Sequence, residues 1–123
     1  MRNLRTLLAL GFALSLGACE FNSPAIPAAI LPANGSTQEV NASAVAPTPL
    51  TVRVIDHNQD EMDGVTVNWV VRKGNGTVSA ASTTTDDNGL SSVTFTAGST
   101  LGLNEVTAEV PGLGAVSFSI TVK

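Results

Sequence analysis

Val65, Val67, Trp69 and Val71 recur at every second position after Gly64, with Thr66, Asn68 and Arg72 alternating against them and Val70 the one apolar exception. Successive side chains of a β-strand point to opposite faces, so this run reads as a strand with one face in a core and one in water. Trp69 is the only tryptophan, and no other side chain here offers as much apolar surface. The stretch is read as the central strand of a small β-sandwich whose other strands close over Trp69.

The same alternation returns along the chain. Leu50, Val52 and Val54 alternate with Thr51 and Arg53. Val93 and Phe95 alternate with Ser92, Thr94 and Thr96. Val106, Ala108 and Val110 alternate with Glu105, Thr107 and Glu109, and Val116, Phe118, Ile120 and Val122 with Ser117, Ser119 and Thr121. Between the runs stand turn formers: a polar loop at 56–63, then Lys73-Gly74-Asn75-Gly76, Asp86-Asp87-Asn88-Gly89 and Pro111-Gly112-Leu113-Gly114. Thr77 to Thr85 reads as extended with a break at Ala80-Ala81. Thr37 to Ser43 reads as a short polar edge strand, and Pro47 and Pro49 stop its pairing. Strands this short, with turn signals every ~8–12 residues, mean an all-β sandwich or barrel, read here as an antiparallel sandwich of about seven strands. Its expected core is Leu50, Val52, Val54, Val65, Val67, Trp69, Val71, Val93, Phe95, Val106, Ala108, Val116, Phe118 and Ile120. With 123 residues there is room for one such domain.

The N-terminus has a different texture. Arg2 and Arg5 precede an apolar run from Leu7 to Leu16, then Gly17-Ala18-Cys19. A short basic region, an apolar core and small residues ahead of a cleavage site make a signal peptide, here residues 1–18. The run is too short for a bilayer span, which takes ~20 residues. Cys19 is the only cysteine, so the domain holds together without an internal disulfide. Residues 20–33 carry Pro24, Pro27 and Pro32 among alanines with no alternation, and are read with Cys19 as an extended tether. The folded domain is then expected over 34–123. Cleavage would remove Arg2 and Arg5 and leave 4 basic residues (6 minus 2) against 10 acidic ones, a net charge of -6. That balance excludes nucleic acid and an anionic membrane surface as electrostatic partners.

Leu16-Gly17-Ala18-Cys19 resembles the bacterial lipobox. The resemblance implies that Cys19 is acylated, that the mature chain starts there, and that it is anchored in a membrane through its lipid. Glu20 follows, where aspartate would imply inner-membrane retention in enterobacteria; this favours the outer membrane over the inner, with the domain either periplasmic or surface-exposed. From Asn34 onward the chain resembles the bacterial Ig-like family of invasin and intimin repeats. The matching residues are Pro49 to Asp56, Gly64 to Trp69, Gly74 to Ser79, Thr85 to Gly89 and Gly102 to Ala108, with Phe118 in the last strand. The resemblance implies an Ig-like sandwich used as a spacer or adhesive module at the cell envelope. Where the family's loop after the first aspartate carries glycine and proline, this chain has Gln59 and Glu61.

Candidate sites are few. If the strands run alternately up and down, Asp56, Asp60, Glu61 and Asp63 share one end of the sandwich with Asp86 and Asp87. Carboxylates in such a group are the hard oxygen ligands that Ca²⁺ takes, so Asp56, Asp60, Asp63, Asp86 and Asp87 are calcium candidates. Their spacing matches no helix-loop-helix calcium pattern. The competing reading is solvated loop acids, with Asp86 capping its own turn. His57, the only histidine, lacks the cysteine partners of a zinc site. The Thr/Ser rows on the polar strand faces offer a surface to a protein or a glycan. No catalytic constellation is visible and no cofactor is expected. The sequence therefore predicts a non-catalytic, membrane-anchored module, structural or adhesive. A ligand-binding module for glycan, peptide or Ca²⁺ within a periplasmic or surface complex is the alternative.

Overall fold

The computed structural model describes residues 26–123. The expected signal peptide, Cys19 and the first part of the expected tether lie outside them. Ten strands follow in order: β1 (Pro27–Asn34), β2 (Thr37–Val40), β3 (Leu50–Asp56), β4 (Thr66–Lys73), β5 (Thr77–Val78), β6 (Ser82–Thr84), β7 (Leu90–Val93), β8 (Phe95–Thr96), β9 (Gly102–Val110) and β10 (Gly114–Val122). One sheet has the order β1-β3-β7 and the other β2-β10-β9-β4-β6, with a small β5-β8 pair beside them. Seven expected strands become ten because the runs Thr77 to Thr85 and Ser92 to Thr96 each divide between two partners, as β5/β6 and β7/β8, and because β1 is an added strand. The fold is all-β, as the alternation predicts.

The longest ladder is the β9–β10 hairpin, in register from Gly114↔Val110 to Val122↔Gly102. Leu113 N–H donates to Val110 O at 2.9 Å and closes its turn. β4 lies antiparallel on the other side of β9, so Trp69 pairs with Ala108. Trp69 then meets Phe118 of β10 with ring centroids 5.7 Å apart at a tilt of 41°. A tilted contact at that distance is the favourable arrangement for two aromatic quadrupoles. From the facing sheet, Leu50, Val52 and Val54 of β3 and Val93 of β7 complete one core with Val67, Val106 and Ile120.

Of the expected core, Val65 and Val71 are only half-buried. Val65 precedes the first paired residue of β4, and Val71 sits at a register shift between Val71 and Lys73. Val40, Ala46, Ala97, Val110 and Val122 are buried as well.

The tether reading fails over Pro27–Asn34. This segment is β1, paired antiparallel with β3 from Pro27↔Asp56 to Asn34↔Thr51. The folded domain thus reaches back at least to Pro27, ahead of the expected Asn34. Proline is tolerated because β1 is an edge strand, where a missing N–H can face away from the ladder. The two register shifts fall between Pro27 and Ala29 and between Pro32 and Asn34. Ile30 packs against the core. At Gly35 the chain crosses to the other sheet, and β2 runs parallel to β10. The φ of Gly35 is +75°, and a Cβ there would lie 2.6 Å from Pro49 O. Only glycine fits this crossing without strain.

These registers give the sandwich two distinct poles. Pro27, the 56–63 loop, the Asp86–Gly89 turn and the 111–113 turn share one. The 41–46 loop, the Lys73–Gly76 turn, the 97–101 loop and Val122 share the other.

Candidate functional site

The two acidic turns do come together at the first pole. Val54 N–H donates to Gly89 O at 2.9 Å, and Met62 N–H donates to Val54 O at 3.0 Å. A Cβ on Gly89 would lie 2.9 Å from the Cβ of Glu61, so the turns pack in direct contact.

Two of the expected carboxylates spend an oxygen on their own loops. Asp56 Oδ1 accepts from Asn58 N–H at 2.8 Å and Asp60 N–H at 3.0 Å. Asp86 Oδ1 accepts from Asn88 N–H at 2.9 Å and Leu90 N–H at 3.0 Å. Both are side-chain mimics of a backbone turn, the usual work of aspartate at such positions. Asp60, Asp63 and Asp87 are exposed, as are Glu61 and His57. Among the described residues, no group of three or more His, Cys, Asp or Glu side chains is placed to hold a metal ion. The turns meet without gathering their carboxylates into such a group. The polar strand faces are likewise self-occupied in part: Arg72 Nε donates to Thr107 Oγ1 at 3.2 Å and its NH2 pairs with Glu109.

Buried polar side chains that the sequence reading passed over turn out to tie the loops down. Asn104 is 1 % exposed, and its Oδ1 accepts from Gly76 N–H at 3.1 Å. The Lys73–Gly76 turn folds directly over it: a Cβ on Gly74 would sit 2.1 Å from Asn104 Oδ1. The alternation through Val106 and Ala108 already places Asn104 on the inward face, and that register was the signal for it. Thr85 Oγ1 accepts from Val65 N–H at 2.9 Å and donates to Met62 O at 2.6 Å, pinning the 62–65 loop. Trp69 Nε1–H donates to Thr83 Oγ1 at 2.7 Å, and Thr83 is hydrogen-bonded in turn to Ser91. That chain joins β4 and β6 of one sheet to β7 of the other. These contacts hold the fold, and none presents a reactive group to solvent.

A shallow hollow of about 300 Å³ lies at the second pole, lined by Glu39, Val40, Asn41, Ala44, Val45, Pro47 and Lys123. Lys123 Nζ and Glu39 Oε1 pair across it at 3.0 Å. Both side chains of this ion pair are largely exposed to solvent. Trp69, Phe95 and Phe118, the aromatic side chains of the described residues, are all buried. No ring is therefore presented there for a sugar or peptide to stack on. Among the described residues, no helix is long and apolar enough to cross a membrane.

The geometry has counterparts among known proteins. The D0-D1 domain of intimin superposes with a TM-score of 0.61 at 16 % identity, over 79 % of this chain and 48 % of that one. The Yersinia pseudotuberculosis adhesin InvE gives 0.62 at 18 % identity, over 81 % of this chain and 33 % of that one. A glycosyl hydrolase family 2 member from Bacteroides cellulosilyticus gives 0.65 at 20 % identity, over 80 % of this chain and 14 % of that one. The chain thus spans about half of the intimin pair or less of the others, and at these identities the likeness is one of fold. No curated protein matches the chain in sequence. The family model for the bacterial Ig-like domain (group 1) matches residues 32–123. That match takes in the sandwich from the end of β1 onward, and the chain belongs to the bacterial Ig-like domain family, group 1.

Proposed function

We propose that the mature chain is a non-catalytic lipoprotein of the cell envelope. It is held in the outer membrane by acyl groups on Cys19 and presents one Ig-like module in a structural or adhesive role. The observation that carries this reading is the family match over 32–123, set behind a single cysteine in a lipobox-like context. Adhesins carry the same fold, as the InvE likeness shows for that protein.

The position of β1 sharpens the picture. Pro27 starts the folded body, which leaves seven residues (20–26) between it and Cys19. Seven residues reach ~25 Å at most, at ~3.3–3.6 Å each. On this reading the module stands within that reach of the membrane, with the pole of Pro27 and the acidic turns nearest to it. Two or more acyl chains give stable anchoring where one is marginal.

Protease shaving of intact cells, with Cys19→Ala as control, tests the reading. The wild type is expected to sediment with outer membranes and be cut on intact cells, as an adhesive role requires. The Cys19→Ala chain is expected in the soluble fraction. A wild type that stays soluble contradicts the anchor. Anchored protein that resists protease until the envelope is opened contradicts the adhesive role and leaves the structural one.

A further inference from the structure

The chain enters the folded body and leaves its last strand at opposite poles. β1 begins at Pro27, level with Asp56 at one pole. β10 ends at Val122, level with Val40 and Gly102 at the other. Between these points β2 and β10 lie side by side and parallel, in register from Thr37↔Ser119 to Val40↔Val122. Ser119 N–H donates to Ser36 O at 2.9 Å, Lys123 N–H to Val40 O at 3.0 Å, and Ala42 N–H to Lys123 O at 3.0 Å.

Tension between the two poles would act on this pair in one particular way. A pull at Pro27 draws β1 and β2 toward the first pole. A load at the second pole draws β10 the other way. Neighbouring strands pulled lengthwise in opposite directions share the force across all their bonds, which must break together; strands peeled from one end lose theirs one at a time. β1 on β3 is loaded lengthwise too. Side chains brace the same place. Gln38 Nε2 donates to Thr48 O at 2.8 Å, and Gln38 Oε1 accepts from Thr48 N–H at 3.2 Å. Lys123 Nζ reaches Glu39 Oε1 across the β2–β10 seam at 3.0 Å.

We propose that the domain is a load-bearing element, in which tension between the membrane attachment and the opposite pole is carried in shear by the parallel β2–β10 pair and backed by β1 on β3. The source of that tension rests on the proposed Cys19 anchor; the resistance itself belongs to the fold. Forced unfolding reports the unfolding rate rather than equilibrium stability, so the two can be separated by experiment.

The test is single-molecule pulling on the mature chain with two handle placements. One pair of handles sits ahead of Pro27 and at Lys123, the other ahead of Pro27 and at Pro111. The first geometry loads β2–β10 in shear and the second peels from one pole. The expected rupture force is several-fold higher in the first. Ala42→Pro, which removes the N–H bonded to Lys123, is expected to lower that force. Gln38→Ala, which removes the side-chain bonds bracing β2 against Thr48, serves as a second variant should Ala42→Pro fail to fold. Thr83→Ala, on the far edge, is expected to lower the Tm and leave the force unchanged. Equal forces in the two geometries, or a force that follows Thr83→Ala rather than the seam variants, overturns the proposal. Weak mechanics on an acylated, membrane-bound protein would refute load-bearing alone. A strong shear response in a protein that is never acylated would refute the anchor alone.

Discussion

The β9–β10 hairpin and the β1 strand are built on opposite terms. The hairpin alternates apolar and polar residues through nine-residue strands, buries one face and shows the other to water. Its pattern is its own explanation, because a one-residue slip would turn every inward side chain outward. β1 reads Pro-Ala-Ala-Ile-Leu-Pro-Ala-Asn, with two prolines and no alternation. It is a strand because β3 supplies a ladder for it and because an edge position tolerates proline. The first region is specified by its sequence pattern and the second by its neighbour.

That contrast sets the order of expected effects. Trp69 stands where the well-specified sheet meets the core, against Phe118 and bonded to Thr83. Trp69→Ala is expected to cost ~3–5 kcal/mol in chemical denaturation followed by circular dichroism. A midpoint unchanged at constant slope would remove Trp69 from the core.

Removing β1 by starting the chain at Gly35 probes the weaker region. Ile30 is the residue of β1 that packs on the core, and burial of one such side chain gives ~1.5–3 kcal/mol. A loss of that size is expected, read as a lower denaturation midpoint. Truncation without effect would restore the tether reading.

Asn104→Ala leaves Gly76 N–H buried without its acceptor, at ~1–3 kcal/mol. Hydrogen exchange should then accelerate at the Lys73–Gly76 turn and stay slow in the β9–β10 ladder. Acceleration across the whole hairpin would show that Asn104 supports the sheet rather than the turn. The smallest effect belongs to calcium. Millimolar Ca²⁺ and a chelator are expected to give the same Tm, since a ligand bound to the native state alone raises it by mass action. A rise in Tm with Ca²⁺ would make the Asp56 and Asp86 turns a metal site after all.

What could be read from the sequence follows from the same contrast. β3, β4, β9 and β10 were legible because each has one wet face, and alternation records that. The seam between β2 and β10 was not, since parallel pairing of a four-residue strand leaves no mark on either sequence. The change of partner within 90–96 was equally silent. Thr94 keeps the alternation going while its N–H turns to Ser79 Oγ at 3.0 Å. The acidic turns were placed at one pole correctly by strand direction. Whether their carboxylates converge is decided by side-chain rotamers, and Asp56 and Asp86 are held by their own loops.

The proposed anchor at Cys19 carries the functional reading, and mass spectrometry of the protein extracted from its native membrane addresses it most directly. The predicted result is an N-terminal peptide that begins at Cys19 and carries a thioether-linked diacylglyceryl group and an amide-linked acyl chain. A peptide with an unmodified Cys19 thiol, or a mature chain that begins elsewhere, would contradict the lipoprotein reading and leave an Ig-like module without a membrane attachment.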